Sequence, residues 1–154
     1  MQQIISELNQ IISEYSQKFA HIPDEDFDAK PNPENWSKKE IVGHLIDSAQ
    51  NNLRRFIVGQ YFQNDKIIYN QEFWNSINGY QHDSKGNVIT LWILLNNRIA
   101  AVLKNIPADT YENTIDTGQE YTSLKTLNWL AEDYVKHMKH HINYIFPGSF
   151  EISY

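Results

Sequence analysis

Three of the chain's six histidines stand within five residues of one another, in the stretch DYVKHMKHHINYI from Asp133 to Ile145. A neutral imidazole can ligate a divalent cation, carry a proton near neutral pH, or sit as a satisfied polar group in a core. Helical phase separates these roles. Leu127, Leu130, Ala131, Tyr134, Met138 and Ile145 mark one apolar stripe. At about 100° per residue, His141 falls within about 40° of the stripe's centre and His137 about 75° off it, while His140 faces outward at roughly 140°. His137 and His141 are therefore an i, i+4 pair whose rings can reach one point. His-x-x-x-His is a metal-ligand spacing for that geometric reason.

Two ligands do not make a site, because zinc and similar ions take three or four. A second region offers a third. Ile41, His44, Ser48, Asn51 and Arg55 recur at steps of three and four residues. A seam at that spacing is normally apolar, since it faces another helix. Four polar residues in a row along it need a metal, water or a ligand to satisfy them. The alternative is a solvated flank beside the apolar stripe Ile41, Leu45, Ala49, Leu53 and Phe56.

Other chemistries are excluded by what the sequence lacks. There is no cysteine, which removes disulfides, thiolate metal sites and cysteine nucleophiles. No Glu-x-x-His occurs, so a carboxylate di-iron centre fails. Gly-rich phosphate loops, Gly-x-Ser-x-Gly and His-Glu-x-x-His are also missing. One divalent ion on three imidazole nitrogens survives, with coordination positions left for water or substrate. A thiol, if one is used, has to come from a small molecule.

These residues need helices to hold them. The apolar positions Ile4, Ile5, Leu8, Ile11, Ile12, Tyr15 and Phe19 predict a first long helix over about Gln2–Ala20. Prolines 23, 31 and 33 then exclude a helix interior. Ser37-Lys-Lys-Glu40 reads as a capping box that opens a second helix, to about Phe62. NQEFWNSI suggests a short helix, and a third long one spans about Val88–Asn105 before Pro107. The segment 108–121 reads as a loop or short hairpin. A fourth long helix covers about Ser123–Phe146 and stops at Pro147-Gly148. The whole, residues 1–154, is expected to be one all-α domain, a four-helix bundle.

Composition fits that picture. Hydrophobic residues make up 41% and charged residues 21%, an ordinary globular balance. The net charge of -6 argues against a nucleic-acid partner, since phosphate binding wants a basic face. No apolar run approaches the ~18 residues of a membrane span, and the N-terminus lacks a signal-peptide pattern. A cytoplasmic location without membrane contact is expected.

The stretch ENWSKKEIVGHLIDSAQNNLRRF resembles the second long helix of the DinB-like superfamily, and its YfiT branch in particular. Trp36, Ser37, Glu40, His44, Leu45, Asp47 and Ser48 fall on that family's pattern. The paired histidines of its last helix fall on His137 and His141 in TLNWLAEDYVKHMKHHINYI, and YNQEFWNSI, with Tyr69 and Trp74, gives a third match. The resemblance implies a four-helix bundle with a long crossover connection, and His44, His137 and His141 as ligands of one divalent ion, zinc or nickel. It implies a homodimer acting on a small-molecule substrate. Asn51 and Arg55 match the branch as pocket residues; Ser48 and Tyr134 join them as neighbours of the expected ligands. Asp47 is a candidate to orient a ring nitrogen of His44.

Two functional readings follow. In one, the chain is a metal-dependent enzyme whose nucleophile is an activated water, as in a hydrolase, or a low-molecular-weight thiol cosubstrate, as in a thiol S-transferase. In that reading Arg55 binds a substrate carboxylate, and no catalytic residue beyond the metal-held nucleophile stands out. In the other, the metal staples a non-catalytic bundle that binds a small ligand or a protein partner. A fourth protein ligand favours the second reading; an open position favours the first.

Overall fold

A computed structural model describes residues 1–152. Four long helices form the bundle: α1 (Gln2–His21), α3 (Lys38–Val58), α5 (Lys85–Asn105) and α6 (Leu127–Ile145). Between them lie two short helices, α2 (Asp24–Asp28) and α4 (Gln71–Asn78), and a two-stranded hairpin of β1 (Thr114–Asp116) and β2 (Leu124–Thr126). The strands are antiparallel, with Ile115 opposite Lys125. Asp116 closes the hairpin by accepting from the Gly118 and Ser123 amides.

The predicted apolar faces are the buried ones. All seven positions named on α1 are buried, as are Leu127, Leu130, Ala131, Tyr134, Met138 and Ile145 on α6. Trp92 of α5 lies fully buried at the centre, its ring edge-on to Phe19 of α1 at 5.2 Å. α5 packs against α1 and α3, and α6 packs against α3 and α1. The order round the bundle is thus α1–α5–α3–α6, and both α1 to α3 and α5 to α6 cross the diagonal. These are the long crossovers. α5 is long and apolar enough to span a membrane by length and composition alone, which amends the expectation that no segment comes close.

Helix ends follow local chemistry. Ser37 Oγ accepts from the Glu40 amide at 3.1 Å, and the Glu40 carboxylate accepts from the Ser37 amide at 2.8 Å, so the capping box forms. α3 stops at Val58 rather than Phe62 because Asn113 takes the Gly59 carbonyl, tying the helix end to the hairpin. α6 starts at Leu127 rather than Ser123, since Leu124–Thr126 are used in β2 and Thr126 then caps the helix. α5 begins three residues early, on a Ser84 cap. α2 follows Pro23 directly and buries Phe27, a helical turn the proline-rich segment was expected to lack.

α4 is turned inside out. Phe73 and Ile77 are 62% and 70% exposed, whereas its asparagines face the bundle. Asn75 donates to the Glu40 carbonyl and Asn78 to Asp47. Gly79 ends α4 at φ +62°, a left-handed cap that suits glycine. The next turn brings the Tyr80 ring down onto Gly43 of α3, where a Cβ would lie 2.1 Å from a ring carbon.

Candidate metal centre

α3 and α6 lie side by side, and they present the predicted histidines to each other. One ring nitrogen from each of His44, His137 and His141 lies within 4.8 Å of the other two. His44 Nε2 and His137 Nε2 are 3.2 Å apart. The ring of His141 sits 4.5 Å, centre to centre, from each of the other two. Among the described residues no carboxylate and no fourth histidine joins this cluster.

Burial sets its protonation. The His44 imidazole is pulled down from 6.5 to about 4 by burial. His137 falls to about 3, through burial and then the neighbouring charges of His44, His140 and Arg55. His141 falls to about 2, by burial and then the other three histidines. All three are neutral at pH 7, the form a metal ion requires. With metal–nitrogen bonds of about 2.0–2.1 Å, two nitrogens 3.2 Å apart subtend roughly 100° at a shared ion. The His44–His137 spacing thus suits a shared divalent cation, and the His141 nitrogen lies within 4.8 Å of both.

The polar seam of α3 is not a solvated flank. His44 is 0% exposed, and Ser48 and Asn51 are also buried, as are Leu45, Ala49 and Phe56 of the rival stripe; Arg55 is half-buried. Its members do different things. Asn51 donates to the Asp47 carbonyl one turn back. Ser48 accepts from Asn52 through both its carbonyl and its hydroxyl. Arg55 donates through Nε and Nη2 to the Ile67 carbonyl and through Nη1 to Asn52, which pins the loop after α3. It also borders a separate cavity of about 410 Å³ with Tyr69, Asn70, Gln71 and Gln119. Tyr134 is buried and donates its hydroxyl to Asn96 of α5.

Asp47 does not orient His44. Its Oδ1 accepts from the Tyr80 hydroxyl at 2.7 Å and from Asn78 at 2.9 Å, while its Oδ2 and the His44 Nδ1 are each buried without a hydrogen-bond partner. The i, i+3 offset turns the carboxylate toward α4 and the turn after it. Burial raises the Asp47 carboxyl to about 6, against the opposing pull of the Tyr80 and Asn78 bonds. What supports His44 instead is Trp36, whose ring lies 5.0 Å from the imidazole.

A cavity of about 420 Å³ opens onto His141. Its walls include Trp36, Ile41, Tyr144, Glu34 and Glu72. Glu34, Glu72 and Tyr144 were invisible as site residues in the sequence. They come from a loop, a short helix and the outward face of α6, and no spacing rule joins those. A larger cleft of about 790 Å³ runs along α1 from Gln10 to Ile22 and holds no member of the triad. The ligand chemistry, not the volume, selects the site.

No curated protein sequence matches the chain. Solved structures do. YfiT from Bacillus subtilis, described as a probable metal-dependent hydrolase with an unusual four-helix bundle topology, superposes with a TM-score of 0.83 at 21% identity. That match covers 94% of this chain and 82% of YfiT. A mycothiol-dependent maleylpyruvate isomerase matches with a TM-score of 0.71 at 13% identity, over 92% of this chain but 59% of the isomerase. The DinB-like protein YjoA from Bacillus subtilis matches with a TM-score of 0.65 at 15% identity, covering 99% of this chain and 96% of YjoA. At these identities the likeness is one of fold. In sequence, residues 7–145 match the family model of the DinB superfamily, and the chain belongs to that superfamily.

Proposed function

We propose that this protein is a divalent-metal-dependent enzyme acting on a small molecule, a hydrolase or a thiol S-transferase, with His44, His137 and His141 as the metal ligands. The observation that carries this reading is the three-nitrogen cluster, with no fourth candidate ligand joining it among the described residues and a cavity at its mouth. A structural site closes its coordination shell with protein; a catalytic one leaves a position open. The descriptions of YfiT and of the mycothiol-dependent isomerase supply the two chemistries, hydrolysis and thiol-dependent reaction.

Zinc or nickel suits three imidazoles. A divalent ion held there supplies Lewis acidity, which brings water or a small thiol to its nucleophilic, deprotonated form near neutral pH. The chain's own part is to hold three rings neutral and fixed. Burial keeps protons off them. Trp36 covers one face of His44, and the α3–α6 packing sets the separation of the rings. Substrate enters over His141. Action as a homodimer in the cytoplasm belongs to the same reading.

The test is elemental analysis of tag-free protein, wild type beside His44→Ala, followed by assays with hydrolysable esters and with thiols plus electrophiles. About one equivalent of metal in the wild type, little in the variant, and metal-dependent turnover of either substrate set would support it. Stoichiometric metal with no turnover would move the protein to a metal-stapled binding bundle. No metal after reconstitution would end both.

A further inference from the structure

The cavity over His141 has a chemical character of its own. Two of its walls are aromatic: the Trp36 ring lies against His44, and the Tyr144 ring is 5.9 Å from that of His141. Its rim carries two carboxylates, Glu34 from the loop before α3 and Glu72 from the first turn of α4. Neither is in any ion pair among the described residues, although the neighbouring Glu40 is neutralised by Lys30 at 2.8 Å. No lysine or arginine lines this cavity. Glu34, Trp36 and Glu72 also border an adjoining cavity of about 290 Å³, whose lining includes Lys30 and Glu40, a pair already bonded to each other.

Uncompensated carboxylates over aromatic faces favour one kind of guest. A protonated amine or quaternary ammonium gains from ring quadrupoles and from the carboxylates together. An anion is repelled, and a neutral polar group gains little from either. The carboxylates lie outside the imidazole cluster, so a guest's cationic end would sit at the rim and its other end would point inward. We propose that this cavity is a binding subsite for the ammonium group of an amine-bearing small molecule, held by Glu34 and Glu72 against Trp36 and Tyr144. That the bound molecule is a substrate, presenting its reactive end to a metal on His141, rests on the metal-enzyme reading above; the preference for a cation does not.

The two can be tested apart. Phenethylamine and the similarly sized neutral phenethyl alcohol are titrated into metal-free protein at pH 7.5, with binding followed by the indole NMR signal of Trp36, assigned with Trp36→Phe. Wild type should bind the amine about ten-fold more tightly than the alcohol. Glu34→Gln/Glu72→Gln, two exposed positions whose change leaves the fold intact by circular dichroism, should abolish that preference while still binding the alcohol. Equal affinity for amine and alcohol in wild type would overturn the proposal, as would a preference that survives the double substitution. Amine preference with no metal uptake in wild type would uphold the subsite and sink the metal reading alone.

Discussion

His44 on α3 and His137 on α6 place their Nε2 atoms 3.2 Å apart across 93 residues of chain. Two neutral imidazoles at that distance, His44 buried and His137 half-buried, are either one N–H···N hydrogen bond or two ligands of one ion. Metal uptake decides between them. His44→Ala, His137→Ala and His141→Ala should each lower metal affinity at least 100-fold while leaving a helical protein. His140→Ala should leave metal content unchanged, because that residue lies outside the three-nitrogen cluster. Loss of metal in His140→Ala, or retention in His141→Ala, would contradict the ligand set.

The same three rings make the metal-free fold acid-sensitive. Their folded values lie well below 6.5, so the unfolded chain binds more protons as pH falls. Stability is full above about pH 6.5 and is lost as pH drops toward the folded values. Three protons give a slope of at most about 4 kcal/mol per pH unit. Asp47, raised to about 6, acts with the opposite sign between about pH 6 and 4, but it contributes one proton against three. Urea unfolding of metal-free protein should show a large loss from pH 7 to pH 5. The loss should shrink in a triple alanine variant of the ligands, and a pH-flat wild type would refute the buried-neutral picture.

Asp47 gives the reverse experiment. Its raised value means the folded state holds a proton that the unfolded state releases, so its contribution is favourable below about pH 3.8 and is lost as pH rises through about 6. Asp47→Asn keeps an acceptor for Tyr80 and Asn78 and cannot ionise. It should stabilise the protein by about 1–2 kcal/mol at pH 8 and not at pH 4. A larger gain at pH 4 than at pH 8 would show that the carboxylate is satisfied where it lies.

Gly43→Ala probes the contact with Tyr80. In an open helix, alanine is favoured over glycine by about 1 kcal/mol. Here the new methyl would meet the Tyr80 ring at 2.1 Å, and the ring is held at its far end by Asp47. Overpacking of this kind costs about 1–3 kcal/mol, so a net loss of stability is expected in urea titrations. A more stable Gly43→Ala would mean the turn after α4 moves away freely.

The long helices and the triad were legible in the sequence for one reason: a helix repeats its faces at fixed intervals. Phase put His137 and His141 inward and His140 outward, and the polar seam of α3 offered His44 as the third candidate, the same three that the family resemblance implies. The seam of α3 was ambiguous because two stripes competed, and packing against both α5 and α6 buried the polar one as well. Asp47 was misjudged where the competing partners, Asn78 and Tyr80, come from a segment with no long-range periodicity. Glu34 and Glu72 escaped for the same cause, and Tyr144 because it stands on the outward face of α6. They become neighbours only through the crossover loops, whose paths no local pattern encodes.

The diagonal crossovers have a consequence for how the molecule comes together. α6 carries two of the three imidazoles and follows every other element of the bundle. Its neighbours α1 and α3 begin 125 and 89 residues earlier, so its docking closes long loops and raises the contact order. A chain shortened before Leu127 loses the helix that completes the ring and two donors at once. Assembly of the donor set and completion of the bundle are thus one event, and ion uptake during refolding would time the arrival of the last helix.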